Sequence, residues 1–254
     1  MKILITGAAG GIAYQLGIKL AKRNHLVYMT THTTEQKQQL QKKINNLRLT
    51  DQIKVFTLDI TDNNNLNIID NLDIDILFAH ASIAEGSSIL ELPINKIKYN
   101  YEVNVFSNIE LIKKYIKTKN KNKKGKIIIT SSIAGMLPIP YLGSYTSSKA
   151  ALSMIARTIQ KELKYSKSKI KVYLLEPGAY KTGFNQVMID KIGNHDSEKQ
   201  QLKMHKIFNL IECKNINSVV DKMIFLAEHD SIKTIHRVPL LQRMLIKLYL
   251  IIFG

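Results

Sequence analysis

Residues 2–6 form a short run of β-formers that breaks into Gly7-Ala8-Ala9-Gly10-Gly11-Ile12-Ala13, and a helical apolar pattern through Ile18, Leu20 and Ala21 follows at once. Strand, glycine turn and helix in that order place the helix N-terminus, with its unpaired backbone N–H groups, where a phosphate can bind. Glycines at 7 and 11 let the backbone approach a pyrophosphate with no Cβ in the way, and Ile12 opens the helix behind them. Alone, such a turn also reads as an ordinary connection. Here it opens a chain that keeps alternating. Strand patterns recur at 26–30, 53–58, 75–79, 126–130 and 170–176, with a final short one over 231–238. Helical patterns separate them: one over 34–47, two within 93–119 that meet near Asn104, one running to about Tyr165, and one over 216–228.

This alternation predicts an α/β fold, a doubly wound Rossmann-type parallel sheet with right-handed crossovers and helices on both faces. At 254 residues and 45% hydrophobic, the chain suits one large domain. We expect that domain over 1–238, with a polar, weakly patterned substrate lid at about 183–215 and an apolar, basic helical tail over 239–254. The formal net charge of +17 invites a nucleic-acid or anionic-membrane partner. The lysines are nevertheless spread along the chain, and the densest run, 113–126, reads as a solvated helix end and loop. With no zinc-finger spacing or RNA-binding signature beside it, no nucleic-acid partner is expected. A single cysteine, Cys213, excludes an internal disulfide, agrees with a reducing cytoplasm and reads as a small apolar filler. No metal site is expected. The apolar run after Lys2 breaks after three residues, too soon for a secretory segment, so the expected location is cytoplasmic.

Candidate chemistry gathers around Tyr145 and Lys149. Residues four apart share a helix face, so a phenol and an ammonium would point into one cleft. A neighbouring ammonium favours phenolate and would lower the tyrosine below its usual value near 10. Ser132, at the carboxyl end of the fifth strand, has a hydroxyl that can bind a carbonyl or alcohol oxygen. Asn104, inside Val103-Asn104-Val105-Phe106, is an amide on an apolar helical stretch, which suggests a specific hydrogen bond. After the second strand come Thr31, His32, Thr33 and Thr34, with no carboxylate before Glu35. A carboxylate there would bond the adenine ribose of NAD, whereas hydroxyls and an imidazole tolerate a 2′-phosphate, so NADP(H) is favoured and NAD(H) stays open. His32 also reads as an ordinary loop histidine. Asp59 suits an adenine amino group and Asp62 a helix N-cap.

These motifs, in this order, resemble the short-chain dehydrogenase/reductase family over nearly the whole chain. Thr6-Gly7-x-x-x-Gly11-Ile12-Ala13 is similar to its Thr-Gly-x-x-x-Gly-Ile-Gly turn, with Ala13 in place of the last glycine. The resemblance implies a catalytic tetrad of Asn104, Ser132, Tyr145 and Lys149. Tyr145 would exchange the proton as hydride moves between nicotinamide and a carbonyl/alcohol pair. Lys149 would lower the tyrosine and bond the nicotinamide ribose, Ser132 would position the substrate oxygen, and Asn104 would hold a water that relays protons to Lys149. Further implied cofactor contacts come from Asp59 and Ile60 at the adenine, from Ala81, and from Pro177, Gly178 and Thr182 at the nicotinamide carboxamide. The family usually carries Asn-Asn-Ala-Gly after the fourth strand, and this chain has Ala79-His80-Ala81-Ser82. His80 would either replace a lost hydrogen bond or serve structurally.

The implied partners are a small-molecule carbonyl or alcohol and, as a homodimer or homotetramer, further copies of the chain. A competing reading from another class is a dinucleotide-binding regulator or scaffold without turnover. In the tail, Leu241, Leu245 and Leu248 with Arg243 and Lys247 opposite suggest an amphipathic helix. Subunit or core packing, peripheral membrane contact and a cover over the substrate cleft all remain open for it.

Overall fold

The computed structural model describes residues 1–119, 123–192 and 197–253. The parts of the basic run, the lid and the tail that fall on 120–122, 193–196 and 254 lie outside the described residues. The expected alternation is present: β1 (Lys2–Ile5), α1 (Gly11–Ala21), β2 (Leu26–Thr31), α2 (Thr34–Asn46), β3 (Ile53–Thr57) and β4 (Ile76–Ala79). Then follow α3 (Ile94–Tyr101), α4 (Ser107–Thr118), β5 (Gly125–Thr130), α5 (Gly143–Tyr165) and β6 (Ile170–Pro177). The chain continues through α6 (Phe184–Asp190), α7 (Ser197–Ile211), α8 (Asn217–Glu228), β7 (Ile235–Val238) and α9 (Leu240–Phe253).

The described strands form one parallel sheet in the order β3-β2-β1-β4-β5-β6-β7. The chain winds outward from β1 to β3, then returns to lay β4 against the other side of β1. The strand order therefore reverses between β1 and β4, and the crevice beyond their carboxyl ends is where such sheets bind ligands. Central strands buried on both faces read as continuous apolar runs, which is why Ile3, Leu4, Ile5, Ile127, Ile128 and Ile129 are wholly buried. One core layer packs α1 and α8 on the sheet and the other packs α4 and α5. Ala13 is fully buried, so its small side chain fits the helix–sheet contact where the family has glycine.

The weakly patterned region 183–215 holds α6 and α7, which bury Met188, Ile189, Met204 and Phe208. Its periodicity was masked because the buried positions are few and the outward ones are themselves partly apolar. One expectation is corrected: Asp62 caps no α-helix. It accepts from the Asn64 backbone N–H at 2.8 Å and starts a turn ahead of a short 3-10 helix, Asn65–Asn71. The chain beyond β7 continues as α9.

Candidate active site

The turn after β1 has the backbone its glycines predict. Gly7 and Gly11 sit at φ +70° and +59°, left-handed conformations that disfavour any other residue. A Cβ on Gly7 would lie 2.9 Å from the Ala81 Cα, so the turn and the loop after β4 touch backbone to backbone. Thr182, from the loop after β6, packs against Gly11. Gly10 faces open space, and the first turn of α1 carries no acidic side chain. A bare helix N-terminus with free backbone N–H groups, flanked by Thr182, fits a dinucleotide pyrophosphate. Gly7 thus meets Ala81 and Gly11 meets Thr182, with Ile12 next along α1; Pro177 ends β6, and Gly178 after it packs against Gln242 and Ile133.

Beyond β2, the Thr33 hydroxyl and Gln36 side chain form a capping box that starts α2. The Thr31 hydroxyl is turned inward onto the Thr33 carbonyl at 3.1 Å, so His32, whose side chain is 57% exposed, is the group that faces the rim. Its Nε2 lies 3.4 Å from Asp59 Oδ2. Asp59 Oδ1 accepts from the Thr61 N–H and hydroxyl at 2.9 and 2.7 Å. Burial works to raise the Asp59 carboxyl, but the Thr61 bonds and His32 outweigh it and hold it below the usual carboxylate range. Ile60 is buried behind it.

The loop that departs from the family pattern is held by its backbone. Thr6 Oγ1 accepts from the N–H groups of His80 and Ala81, both at 3.0 Å, and donates to the Phe78 carbonyl. Asn108 Nδ2 donates to the Ala81 carbonyl at 3.1 Å. Asn104 takes the next residues: Oδ1 accepts from the Ile83 N–H and the Ser82 hydroxyl, and Nδ2 donates to the Ile83 carbonyl and to Ser148 Oγ. It can do so because α3 and α4 meet in a π-turn, Glu102–Phe106, which widens the helix at Asn104. The Asn104 amide is therefore a buried brace for the β4 loop. Of the two readings of His80, a replacement hydrogen bond does not form at Nδ1, which is buried without a partner. Burial, reinforced by Lys149, pulls His80 down to about 4, so its ring is neutral at neutral pH.

β5 ends at Thr130, and Ser132 follows in extended backbone. Its hydroxyl accepts from the Ala134 N–H at 3.1 Å and donates to the Pro177 carbonyl at 3.3 Å. The α5 helix brings Tyr145 opposite, and Lys149 Nζ lies 5.7 Å from the centre of the Tyr145 ring. Lys149 is 2% exposed, with the Thr130 carbonyl 3.4 Å away. Burial pulls the Lys149 ammonium down to about 7. Burial also pushes the Tyr145 phenol up to about 12, opposed by its contact with Ser132. The expected lowering of Tyr145 by Lys149 is corrected: burial, which strips the phenolate of its hydration, dominates, and the group that opposes it is Ser132. The phenol is held in its proton-bearing form.

Sequence reasoning missed three supports. Gly135 lies so close to α5 that a Cβ there would sit 2.7 Å from the Ala150 N and 2.9 Å from the Lys149 carbonyl carbon. Glu176 is wholly buried at the end of β6, with Arg237 Nε 2.6 Å and Arg157 3.8 Å away. Ser153 donates to Glu176 at 2.8 Å and lies 2.9 Å from Ser131, whose hydroxyl donates to the Lys149 carbonyl. Gln242 of α9 reaches back to the loop after β6, accepting from the Ala179 N–H at 2.8 Å and donating to the carbonyls of Ala179 and Ile211. A carboxylate closing a strand was the available signal for Glu176; nothing local marks Gly135 or Gln242. Among the described residues, no group of three or more His, Cys, Asp or Glu side chains is arranged to hold a metal ion.

The model of the family described as short chain dehydrogenase matches residues 1–192. The chain belongs to that family. An uncharacterized oxidoreductase of Bacillus subtilis, YusZ, is 32% identical over 70% of this chain and 65% of its own length. An NADPH-dependent 1-acyldihydroxyacetone phosphate reductase of Saccharomyces cerevisiae is 30% identical over 63% of this chain and 55% of its own. A 3-ketodihydrosphingosine reductase of Bacteroides thetaiotaomicron is 27% identical over 72% of this chain and 65% of its own. All three matches leave a third or more of the relative uncovered. A short-chain dehydrogenase/reductase structure from Burkholderia phymatum, in complex with NAD, superimposes with a TM-score of 0.83 at 17% identity, over 97% of this chain and 92% of that one. That likeness speaks for the fold.

Proposed function

We propose that this oxidoreductase interconverts a ketone and its alcohol on a long, apolar, lipid-derived substrate, using NADP(H), with Tyr145 handling the proton. The observation that carries the reading is the buried Tyr145 phenol, held protonated between Ser132 and Lys149 and walled by apolar side chains of α6 and α7. Met188, Ile189, Met204 and Phe208 form one cluster with Tyr145, and the Phe184 ring lies 5.7 Å from the Tyr145 ring. A wall of that kind favours an alkyl chain over a sugar or a charged acid. The names of the yeast and Bacteroides relatives, an acyl and a sphingoid ketone reductase, point the same way.

Gly7, Gly11 and Ile12 would hold the pyrophosphate, His32 the rim at the adenine ribose, Asp59 and Ile60 the adenine, and Ala81, Pro177, Gly178 and Thr182 the nicotinamide half. The bound reduced nicotinamide would supply the hydride to the carbonyl carbon. Ser132 then orients the carbonyl oxygen, and Tyr145 donates its proton to that oxygen as negative charge develops there. Lys149 refills the phenolate, since an ammonium pulled to about 7 gives up its proton readily near neutrality. The Asn104 brace fixes the loop that carries Ala81. The absence of a carboxylate at 31–34 and the NADPH dependence of the yeast relative support NADP(H) over NAD(H).

The test is consumption of NADPH and NADH with a panel of ketones from short and soluble to long-chain 3-keto lipids, with Tyr145→Phe alongside. We expect NADPH turnover rising with chain length and a loss of about 10²-fold or more in kcat for the variant. Turnover indifferent to Tyr145→Phe refutes the proton role. Tight NADPH binding with no turnover on any ketone or alcohol refutes the enzyme reading in favour of a regulator.

A further inference from the structure

We propose that the outer faces of α7 and α9 together form a docking surface for an anionic lipid bilayer, set at the mouth of the active-site cleft. In α9, Leu240, Leu241, Met244, Leu245 and Leu248 are 55–69% exposed. At 100° per residue they fall within a single arc of about 140°, so they make one stripe. The sequence of α9 holds Arg243 and Lys247 and no carboxylate. No described helix is long and apolar enough to cross a membrane, which leaves this stripe to lie on a surface.

The second helix supplies charge. On α7, Met204 and Phe208 turn inward, while Lys199, Lys203 and Lys206 are exposed on the opposite side among Leu202, Ile207 and Leu210. Leu202 and Leu210 are 60% and 86% exposed. Glu198 is the one carboxylate on α7, at the edge of that face in its first turn. The two helices meet where Gln242 bonds the Ile211 carbonyl that ends α7, and the same side chain grips Ala179 on the cleft rim. Leucines interleaved with lysines suit the headgroup boundary of an anionic bilayer, where the apolar side chains sink and the cations stay at the phosphates.

Charge also decides against the obvious rival, a second copy of the chain. A self-complementary contact through this surface would set Lys199, Lys203, Lys206 and Arg243 against an identical set, on chains that each carry +17. The docking rests on the proposed reaction only for its purpose, the passage of a membrane-held ketone into the cleft.

The experiment is co-sedimentation of the full chain with vesicles of phosphatidylcholine alone or with 30 mol% (about one lipid in three) phosphatidylglycerol, at low and high salt. Each Lys or Arg held near an anionic surface raises partitioning about fivefold. Lys203→Glu/Lys206→Glu should therefore weaken binding to the anionic vesicles at least about 25-fold, and Leu241→Ser/Leu245→Ser should weaken it in both salts. Both double variants should keep wild-type turnover of a short soluble ketone without vesicles. No binding by the wild type, or binding that both variants retain, overturns the proposal. So does a concentration-dependent dimer that Leu241→Ser/Leu245→Ser dissolves without any vesicle binding. Vesicle binding in a chain that reduces no ketone leaves the docking standing and refutes the reaction instead.

Discussion

Lys149 sits where its charge is least welcome, so replacing it with methionine should make the protein more stable. The side chain is 2% exposed, and its ammonium is pulled from 10.5 to about 7 by burial. Below pH 7 the group is charged in both folded and unfolded chains, and folding carries the whole cost of burying it. Between pH 7 and 10.5 the folded chain has released the proton and the unfolded chain has not, so stability rises with pH. Above 10.5 both are neutral and the cost is gone. The span from about 7 to 10.5 corresponds to about 5 kcal/mol at pH 6 and falls below about 1 kcal/mol at pH 10. Lys149→Met removes this cost and forfeits the contact with the Thr130 carbonyl, worth about 1 kcal/mol. The net gain at pH 6 is on the order of 3–4 kcal/mol, or roughly 10 °C in Tm for a chain of this size. Thermal unfolding of wild type and Lys149→Met at pH 6 and pH 10 measures it. Lys161→Met, on the exposed side of the same helix, controls for the general relief of positive charge. The gain should vanish by pH 10, and catalysis should be lost at both. A variant no more stable than wild type at pH 6, or a gain of equal size at pH 10, refutes the reasoning.

Two further substitutions probe the supports behind the site. Gly135→Ala should push α5 away at Lys149 and Ala150, lowering kcat about 10–100-fold and stability by about 1–3 kcal/mol; unchanged kinetics and melting would show the contact yields freely. Glu176→Ala strands Arg237 and Arg157, which are 23% and 36% exposed and so regain some water, and should cost about 2–4 kcal/mol in urea unfolding. A cost under about 1 kcal/mol would mean that solvent replaces the carboxylate fully.

The fold was legible because its signals are local. Apolar runs, glycine punctuation and helical periodicity each act within about ten residues, and they place six of the seven described strands to within a residue, while the last, expected from Ser231, starts at Ile235. The positions of Ser132, Tyr145, Lys149 and Asn104 follow from strand ends and helix spacing in the same way. What the sequence hid depends on contacts between distant segments. Tyr145 and Lys149 share a face as their spacing requires, yet the depth of that face in the core reverses the expected shift of the phenol. Gly135 matters because of Ala150, and Gln242 because of Ala179, 63 residues earlier. The helix within 183–215 was hidden for another reason: α7 exposes more large apolar residues (Leu202, Ile207, Leu210 and Ile211) than it buries (Met204 and Phe208), which flattens its pattern.

Thr6 holds more than its own strand. By gripping the amides of His80 and Ala81 with one hydroxyl, it ties the first strand to the loop after the fourth through atoms that every residue but proline possesses. The side chain at position 80 is thereby released from holding the loop and is free to diverge. A search that insists on asparagine there would discard this chain, while one that asks for a hydroxyl at the end of the first strand would keep it. The ring at 80, whose Nδ1 has no partner and which feels the Lys149 charge, carries none of that frame.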